Sequence, residues 1–465
     1  MNSSFQYWFS LKSRYALPCM INFLLLVIDN SMLIWITIFC GMLFTYRLTR
    51  FIDLFSEEIL ILDLIEMLLI LQWLFVPALY YTVYEYQLVE WQWFYDKMQV
   101  SPGRYFLLAL PSSFLFLLAL RYNSNRFRME TKRILGIIFE QNEKYFIVGI
   151  FLCLLSLLSQ TFGSFFSASF NFVFTLFNSL FYVGILYVLF SKSRFKWPIF
   201  GILLIIMVYS GLNSGMFGSI IWWPLVLLIF GLIRVKVWYS VKLFTFISGM
   251  LLFTLLQNIK FKFRQITWNR SIYAAEISKY GVLKNLINNQ LEEINIIDWN
   301  FYYPLLNRLN QGVHVTRVIK YVPLIKPFTN GKSLLVSISA SILPRIIWKD
   351  KPKAGGSEEY FKYTGIRISR GTSMSIGQLG DAYVNFAFWG APILLFFYGR
   401  FLNFLFTRIL KYSYIDASLL LWTPLIFIDL INVEVDFLTV INYAIKTSMF
   451  VFIVFGIMYR FFLKK

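Results

Sequence analysis

The sequence is poor in charged residues and in cysteine, and each shortage narrows the classes of protein to which it can belong. Charged residues make up 14% of the 465 residues, against about 25% in soluble proteins. The three cysteines, Cys19, Cys40 and Cys153, lie in apolar runs and lack the spacing of a metal site or a disulfide. The composition therefore excludes a disordered chain, a disulfide scaffold and most soluble enzymes.

The sequence instead contains long apolar runs, which predict an all-α, polytopic integral membrane protein. Apolar residues make up 58% of the chain and the mean hydropathy is +0.64. The runs 145–191 and 198–233 carry no charge, and each is long enough for two crossings of about 20 residues. We predict about twelve transmembrane helices. Besides the four crossings in these two runs, we predict two short helices within 15–46 and single helices at 57–81, 105–120, 243–258, 385–405, 415–436 and 440–460.

Short basic loops predict the orientation of these helices. Loops 121–144, 191–197, 234–242 and 406–414 each carry Lys or Arg, and the positive-inside rule places such loops in the cytoplasm. The loop with Arg47 and Arg50 follows the same rule, so both termini are expected to be cytoplasmic. The first segment has no cleavage site after it and is expected to be a retained anchor.

Most of the excess positive charge lies in one long segment, 259–384, without a predicted crossing. It carries 18 Lys and Arg against 8 Asp and Glu, a net charge of +10. We divide the chain into N-terminal helices (1–258), this large external segment, and C-terminal helices (385–465). The segment contains a predicted amphipathic helix, 268–294. Its cations either adhere to anionic lipid headgroups or bind an anionic ligand.

Three compact motifs in this segment resemble those of the oligosaccharide repeat-unit polymerases (O-antigen polymerases, Wzy-type). They are RLNQG at 308–312, PRIIWKDKP at 344–352 and SIGQLGDAYVNF at 375–386, and the span FWGAPILLFFYG at 388–399 follows. QWLFVPALYY at 72–81 and SGMFG at 214–218 add to the resemblance. The resemblance implies a polytopic helical fold with a large periplasmic loop in the bacterial inner membrane.

The resemblance also implies an activity and its partners. One undecaprenyl-diphosphate-linked oligosaccharide would be transferred to the sugar hydroxyl of another, with release of undecaprenyl diphosphate. Such enzymes are taken to need no metal or other cofactor, and the chain has no DxD-type pair on an outer loop. Membrane lipid, a chain-length regulator and a flippase of the same pathway are the other implied partners. Nucleic acid is not expected.

Cations of the motifs are the candidates for binding the diphosphate, because fixed positive groups stabilise the charge of that leaving group. We assign Arg345 first, then Lys351, Arg308 and Arg317, with Arg370 and Lys349 as weaker candidates. Each of them could instead form a salt bridge with Glu358, Glu359 or Asp350. The candidates for sugar binding are Trp348, Gln311, Gln378 and Asn385.

A base must also reach the acceptor hydroxyl. His314, the sole histidine of the chain, lies between Arg308 and Arg317, and Asp381 competes with it at the membrane border. Glu358 and Glu359 follow as weaker candidates. Three acidic residues of the predicted span 415–436 are either functional or paired with an arginine of the external segment. They are Asp429, Glu434 and Asp436.

Three other functions remain open at this point. A ligase would use the same donor and a different acceptor, such as a lipid A core. A flippase should show repeated halves with broken helices and charges at the midplane, whereas the sequence shows no internal repeat and its cations concentrate in one segment. A scaffold of an export complex would tolerate loss of Arg345 or His314.

Overall fold

A computed structural model of the chain is predominantly helical in the residues that it describes, and no β-strand occurs among them. The described residues are 32–85, 97–122, 124–140, 143–163, 171–214, 217–233, 235–268, 279–292, 298–343, 347–348, 350–352, 356–368 and 374–463. The prediction of an all-α protein is thus confirmed for this part of the chain.

The helices of the N-terminal half are long and follow one another closely. They are α1 (Met32–Leu54), α2 (Ile61–Leu69), α3 (Val76–Glu85), α4 (Pro102–Leu120), α5 (Ser124–Glu140), α6 (Tyr145–Phe162), α7 (Asn171–Phe190), α8 (Lys196–Ser214) and α9 (Phe217–Gly231). A π-helical turn, Ile70–Phe75, joins α2 to α3, so the three form one continuous rod.

The C-terminal half alternates long helices with short ones. They are α10 (Tyr239–Trp268), α11 (Lys279–Glu292), α12 (Trp299–Leu309), α13 (Gln311–Tyr321), α14 (Lys332–Ile342), α15 (Ser357–Thr364), α16 (Gly377–Tyr412), α17 (Thr423–Phe427) and α18 (Phe437–Met458). A 3₁₀ helix, Ala417–Trp422, precedes α17, and a π-helical turn, Tyr459–Leu463, follows α18.

Seven helices of the described ranges are long and apolar enough to cross a membrane, which indicates a membrane protein. They match seven of the twelve predicted crossings. The helices α8 and α9 match two further predictions but have shorter apolar stretches. The hairpin turn predicted at 29–31 lies outside the described residues.

The prediction of one continuous transmembrane helix at 415–436 is wrong. The chain here is a 3₁₀ helix and a five-residue α-helix, followed by turns. Residues 417–427 are all buried, so neighbouring helices shield the irregular backbone from lipid, as a broken segment at membrane depth requires. Hydropathy reports burial in an apolar environment and does not distinguish lipid from protein.

Close contacts between helices form the core. Helices α4 and α16 pack along their length, and a Cβ atom on Gly399 of α16 would lie 2.6 Å from the Phe116 carbonyl oxygen of α4. Small residues permit such close approach where helices pack in a membrane. Asn403, one turn further along α16, donates to the carbonyl oxygens of Leu120 and Tyr122 and fixes the register of the pair.

The basic loops meet at one end of the bundle, here called the basic-loop end. Arg121 contacts Asp63 and Glu66, and Arg47 contacts Glu66 from α1. Lys242 donates to the Asp53 carbonyl oxygen. That these loops share one side of the membrane stays a prediction. The sequence placed Arg47 and Arg50 in a loop, whereas both lie within α1.

The segment 259–384 gathers at the opposite end, called the site end. Gln99 N, which precedes α4, donates to Thr316 Oγ1 of α13. Helix α11 packs on the extension of α10 through Ile259, Phe263, Val282 and Leu283. Helix α14 packs against α18, whereas its Leu335 and Ile342 are exposed. The segment is therefore folded onto the membrane helices, and α14 lies alongside one of them.

Candidate functional site

One face of α13 carries the first group of polar side chains at the site end. Gln311, His314 and Arg317 recur every three residues, which places them on one side of the helix. His314 Nδ1 lies 3.0 Å from the Tyr360 hydroxyl, and Arg317 Nη1 donates to the same hydroxyl at 2.7 Å. Tyr360 of α15 is fully buried. This hydroxyl therefore joins α13 to α15 and fixes the side chains of His314 and Arg317.

A second group, the cation cluster, consists of Lys260, Arg264 and Arg308. Arg308 of α12 forms an ion pair with Glu434, which precedes α18. The charges of Arg264, Arg308 and Glu434 all act on Lys260, and burial together with the Arg308 charge lowers the pKa of Arg264. Two further basic side chains, Lys260 and Arg264, thus lie close to the Arg308–Glu434 pair.

Glu434 also links the cation cluster to α13, because Gln311 Nε2 lies 3.4 Å from its Oε2 atom. The Arg308 side chain is 42% exposed and that of Glu434 is 12% exposed. An anion arriving from outside can therefore reach the guanidinium group without passing through the core. The sequence predicted either a functional role for Glu434 or a pair with an arginine of the external segment, and the pair is present.

A third group, the carboxylate cluster, consists of Glu359, Asp381 and Asp436. Asp436 caps α18 by accepting from Thr439 N at 2.8 Å, and it accepts from Ser375 Oγ at 3.0 Å. Gly356, with φ of +73°, approaches it so closely that a Cβ atom would lie 3.0 Å from Asp436 Oδ2. The loop before α15 thereby brings Glu359 within electrostatic reach of Asp436.

Glu359 has the electrostatic properties of a proton acceptor. Burial and the negative charge of Asp436 raise its pKa to about 7, and Lys362 opposes part of this shift. Its Oε2 atom is buried and accepts no hydrogen bond from the described residues. A carboxyl group with this pKa is half ionised near neutral pH, so it can both take up and return a proton.

The first turns of α16 hold three predicted site residues in the interior. Gln378, Asp381 and Asn385 lie on one face and are all buried. Asp381 accepts from Phe437 N at 3.0 Å and from Asn385 Nδ2 at 2.9 Å. Asn385 Oδ1 accepts from Thr329 Oγ1, Ser333 Oγ and Leu334 N. These bonds connect the segment before α14 and the start of α18 to α16.

Helix α16 is kinked directly after Asn385. Phe386 and Ala387 leave the helical region, and Ala387 has φ of +56°. The buried part of α16 before the kink therefore belongs to the site end, and the crossing that the sequence predicted from residue 385 follows it. Gln378 Nε2 lies 3.3 Å from the Asn432 carbonyl oxygen, which keeps this turn close to Glu434.

Two residues of the second motif lie apart from these groups. Lys351 is buried and donates to the Leu343 carbonyl oxygen at 2.9 Å, whereas Trp348 is half-buried. Arg345, Lys349 and Arg370 lie outside the described residues. The structure therefore brings together Arg308, Gln311, His314, Arg317 and Asp381.

The sequence reasoning missed several members of this arrangement. Lys260 and Arg264 were predicted to lie in the external segment just after the crossing 243–258, outside its motifs, whereas the structure continues α10 through both of them. Tyr360 has no distinguishing pattern, and Glu359 was a minor candidate for the base. The ion pair of Arg308 is with Glu434, and the proposed partners Asp350, Glu358 and Glu359 do not form it. Contacts between residues this distant in sequence have no local signal.

Comparison with known proteins places the chain in one family. No curated protein and no solved structure matches it significantly. A family model described as "Domain of unknown function (DUF8712)" matches residues 104–463. This range includes α4 to α18 and all the residues of the three groups above, and it covers more than half of the chain. The chain therefore belongs to the DUF8712 family.

Proposed function

We propose that this protein is a membrane glycosyltransferase that polymerises oligosaccharide repeat units carried on undecaprenyl diphosphate. The observation that carries the proposal is the cation cluster. Lys260, Arg264 and Arg308 come from α10 and α12 and converge at the site end, where Arg308 pairs with Glu434. A diphosphate ester is the kind of anion that such a cluster binds, because guanidinium groups match the geometry of phosphate oxygens.

The proposed reaction follows from the neighbouring groups. The acceptor hydroxyl attacks the anomeric carbon of the donor sugar, and a new carbon–oxygen bond forms. The bond between that carbon and the diphosphate oxygen breaks, and its electron pair leaves with undecaprenyl diphosphate. The cation cluster stabilises the growing negative charge, and Glu359 takes the acceptor proton, a role for which a pKa of about 7 is suited.

Other predicted residues have supporting roles in this proposal. His314 and Arg317 hold Tyr360 next to Glu359 and orient the acceptor. Asp381 accepts a hydrogen bond from Phe437 N, which fixes the start of α18 against α16 and so positions Asp436, whose negative charge raises the pKa of Glu359. Arg345, Lys351 and Arg370 remain candidates for further diphosphate contacts, and Trp348 remains one for a sugar ring.

The direct test uses purified full-length protein in proteoliposomes with an undecaprenyl-diphosphate oligosaccharide. Polymerase activity would yield glycans of two or more units together with released undecaprenyl diphosphate. We expect Arg308→Gln to lower the rate by about 10²-fold, the usual effect of removing one preorganised charge-stabilising donor. Lys326→Gln, which removes an exposed cation of the same segment, is the matched control and should retain the wild-type rate.

The same assay separates the alternatives. A ligase would release undecaprenyl diphosphate only after a different glycolipid acceptor is added. A flippase would move the substrate across the bilayer without making a glycosidic bond. Equal rates for Arg308→Gln and Lys326→Gln would show that the cation cluster does not act on the substrate. In cells, loss of polymerase activity should leave single-unit surface glycan in place of long chains.

A further inference from the structure

A large cavity lies between α1 and α4, near the basic-loop end and far from the candidate site. Its volume is about 740 Å³, within the range of pockets that bind small molecules. Most of its walls are apolar. They are formed by Phe39, Leu43, Leu74, Leu110, Pro111, Phe114, Leu117 and Leu118, with Ser113, Arg47 and Arg121 as the polar members.

The cavity opens on the side of the helix bundle. Phe39 is 56% exposed, Phe114 is 65% exposed and Leu118 is 51% exposed, and all three lie within helices, away from the loops. The α4 residues belong to a helix that is long and apolar enough to cross a membrane. In a bilayer, this opening faces lipid hydrocarbon, and a lipid chain can enter it sideways without crossing water.

The polar end of the cavity is formed by Arg47 and Arg121. The Arg47 side chain is 21% exposed and the Arg121 side chain is 17% exposed. Both side chains therefore keep some accessible surface, whereas Ser113, which is 1% exposed, does not.

The charge around this end also favours an anion. Arg47 and Arg121 contact Glu66, and Arg121 also contacts Asp63. Arg50 is near enough for its charge to act on Arg47. Three arginines thus surround two carboxylates and leave one positive charge. A single phosphodiester group, placed where the acyl chains begin, would neutralise it.

We propose that this cavity binds one anionic glycerophospholipid from the leaflet at the basic-loop end. An acyl chain occupies the apolar walls of α1 and α4. The phosphodiester group lies beside the Arg47 and Arg121 side chains. This lipid is a resident ligand of the bundle and is distinct from the substrate of the site end, so the inference does not depend on the proposed glycosyltransferase activity.

The test is native mass spectrometry of the purified full-length protein in detergent, titrated with phosphatidylglycerol, phosphatidylcholine or undecaprenyl phosphate. We expect one phosphatidylglycerol per chain, bound at least about fivefold more tightly than phosphatidylcholine, the effect of one lipid-facing charge. Leu117→Trp should abolish this binding by filling the cavity. Leu107→Trp, on an exposed part of α4 outside the cavity, should not change it.

A second variant keeps the test valid if Leu117→Trp does not fold. Arg50→Gln removes the excess positive charge without adding volume and leaves the pairs of Arg47 and Arg121 in place, so we expect it to weaken phosphatidylglycerol binding several-fold while the protein stays folded. Equal affinities for phosphatidylglycerol and phosphatidylcholine would overturn the proposal. So would tighter binding of undecaprenyl phosphate, which would assign the cavity to a substrate chain, or unchanged binding by both variants.

Discussion

The two ends of the helix bundle both concentrate charge, but they organise it differently. At the basic-loop end, Arg47 and Arg121 are largely buried in ion pairs with Glu66 and Asp63. At the site end, Arg308 pairs with Glu434 close to Lys260 and Arg264, and the Arg308 side chain is 42% exposed. The buried pairs of Arg47 and Arg121 hold helices together, whereas the exposed Arg308 is accessible to a ligand that arrives from outside the bundle.

The largest expected effect is a loss of stability when an ion pair at the basic-loop end is broken. Arg121→Leu leaves Asp63 and the 1%-exposed Glu66 without their main partner, and removing one member of a buried ion pair costs about 3–5 kcal/mol. We expect a large drop in the midpoint of thermal unfolding and in the yield of monodisperse protein. Arg126→Leu, which removes a neighbouring exposed cation, is the control. Equal melting curves for the two variants would contradict a structural role of the inner pairs.

A pH-dependent effect is expected from the carboxylate cluster. The raised pKa of Glu359 means that folding favours its protonated form, so this contribution to stability is complete below about pH 4.5 and is lost as the pH rises through about 7. Glu359→Gln should therefore be more stable than the wild type at pH 8, by roughly 1–3 kcal/mol, and equally stable at pH 4. Thermal unfolding in detergent across this pH range measures the difference.

The same variant has a second readout that a purely structural role would not produce. Under the proposed function, Glu359→Gln loses polymerisation by about 10²-fold or more, despite its greater stability at pH 8. The wild-type rate should fall on the acidic side, with an apparent pKa near 7. A variant that is stabilised and fully active would remove Glu359 from the reaction.

A smaller effect is expected where the backbone closes the carboxylate cluster. Gly356→Ala introduces a side chain at φ of +73°, with a Cβ atom 2.8 Å from the Met374 carbonyl oxygen. We expect a loss of about 1–2 kcal/mol in stability and a shift of the pH–rate profile, because Glu359 and Asp436 move apart. Gly103→Ala, which meets no atom within 4 Å, should leave both measurements unchanged.

The smallest expected stability effect is at the cation cluster itself. Arg308→Gln removes a half-exposed partner from one ion pair, and exposed pairs contribute at most about 1 kcal/mol. Its unfolding midpoint should stay close to that of the wild type while activity falls. A destabilisation as large as that of Arg121→Leu would show that the two ends do not differ in the way described above.

The sequence predicts much of the helical scaffold, because apolar runs and basic loops are local signals. The uncharged run 145–191 becomes α6 and α7, and Pro102–Leu120 closely matches its predicted crossing. The buried 3₁₀ segment Ala417–Trp422 was predicted as a lipid-facing helix, since both environments select the same apolar residues. Five of the predicted site residues do converge, because they belong to adjacent motifs near α13 and α16.

The remainder of the site depends on contacts that no local pattern encodes. Arg308 pairs with Glu434 across 126 positions of sequence, and His314 meets Tyr360 across 46. Asn385 looks polar enough to bind a sugar, yet its amide is occupied by Thr329, Ser333 and the backbone. Packing decides whether a polar residue of a motif contacts a ligand or stabilises the fold. That packing depends on many residues together and cannot be read from one motif.

The short helix α14 has a further consequence. Its eleven residues span about 16 Å, roughly half the hydrocarbon thickness of a bilayer, and it packs against α18. Such a helix cannot cross the membrane, so it anchors the site end from one side and sets its depth. Bilayer thickness then becomes a variable of the proposed reaction, because a thicker or thinner membrane changes the height of the lipid headgroups relative to Glu359.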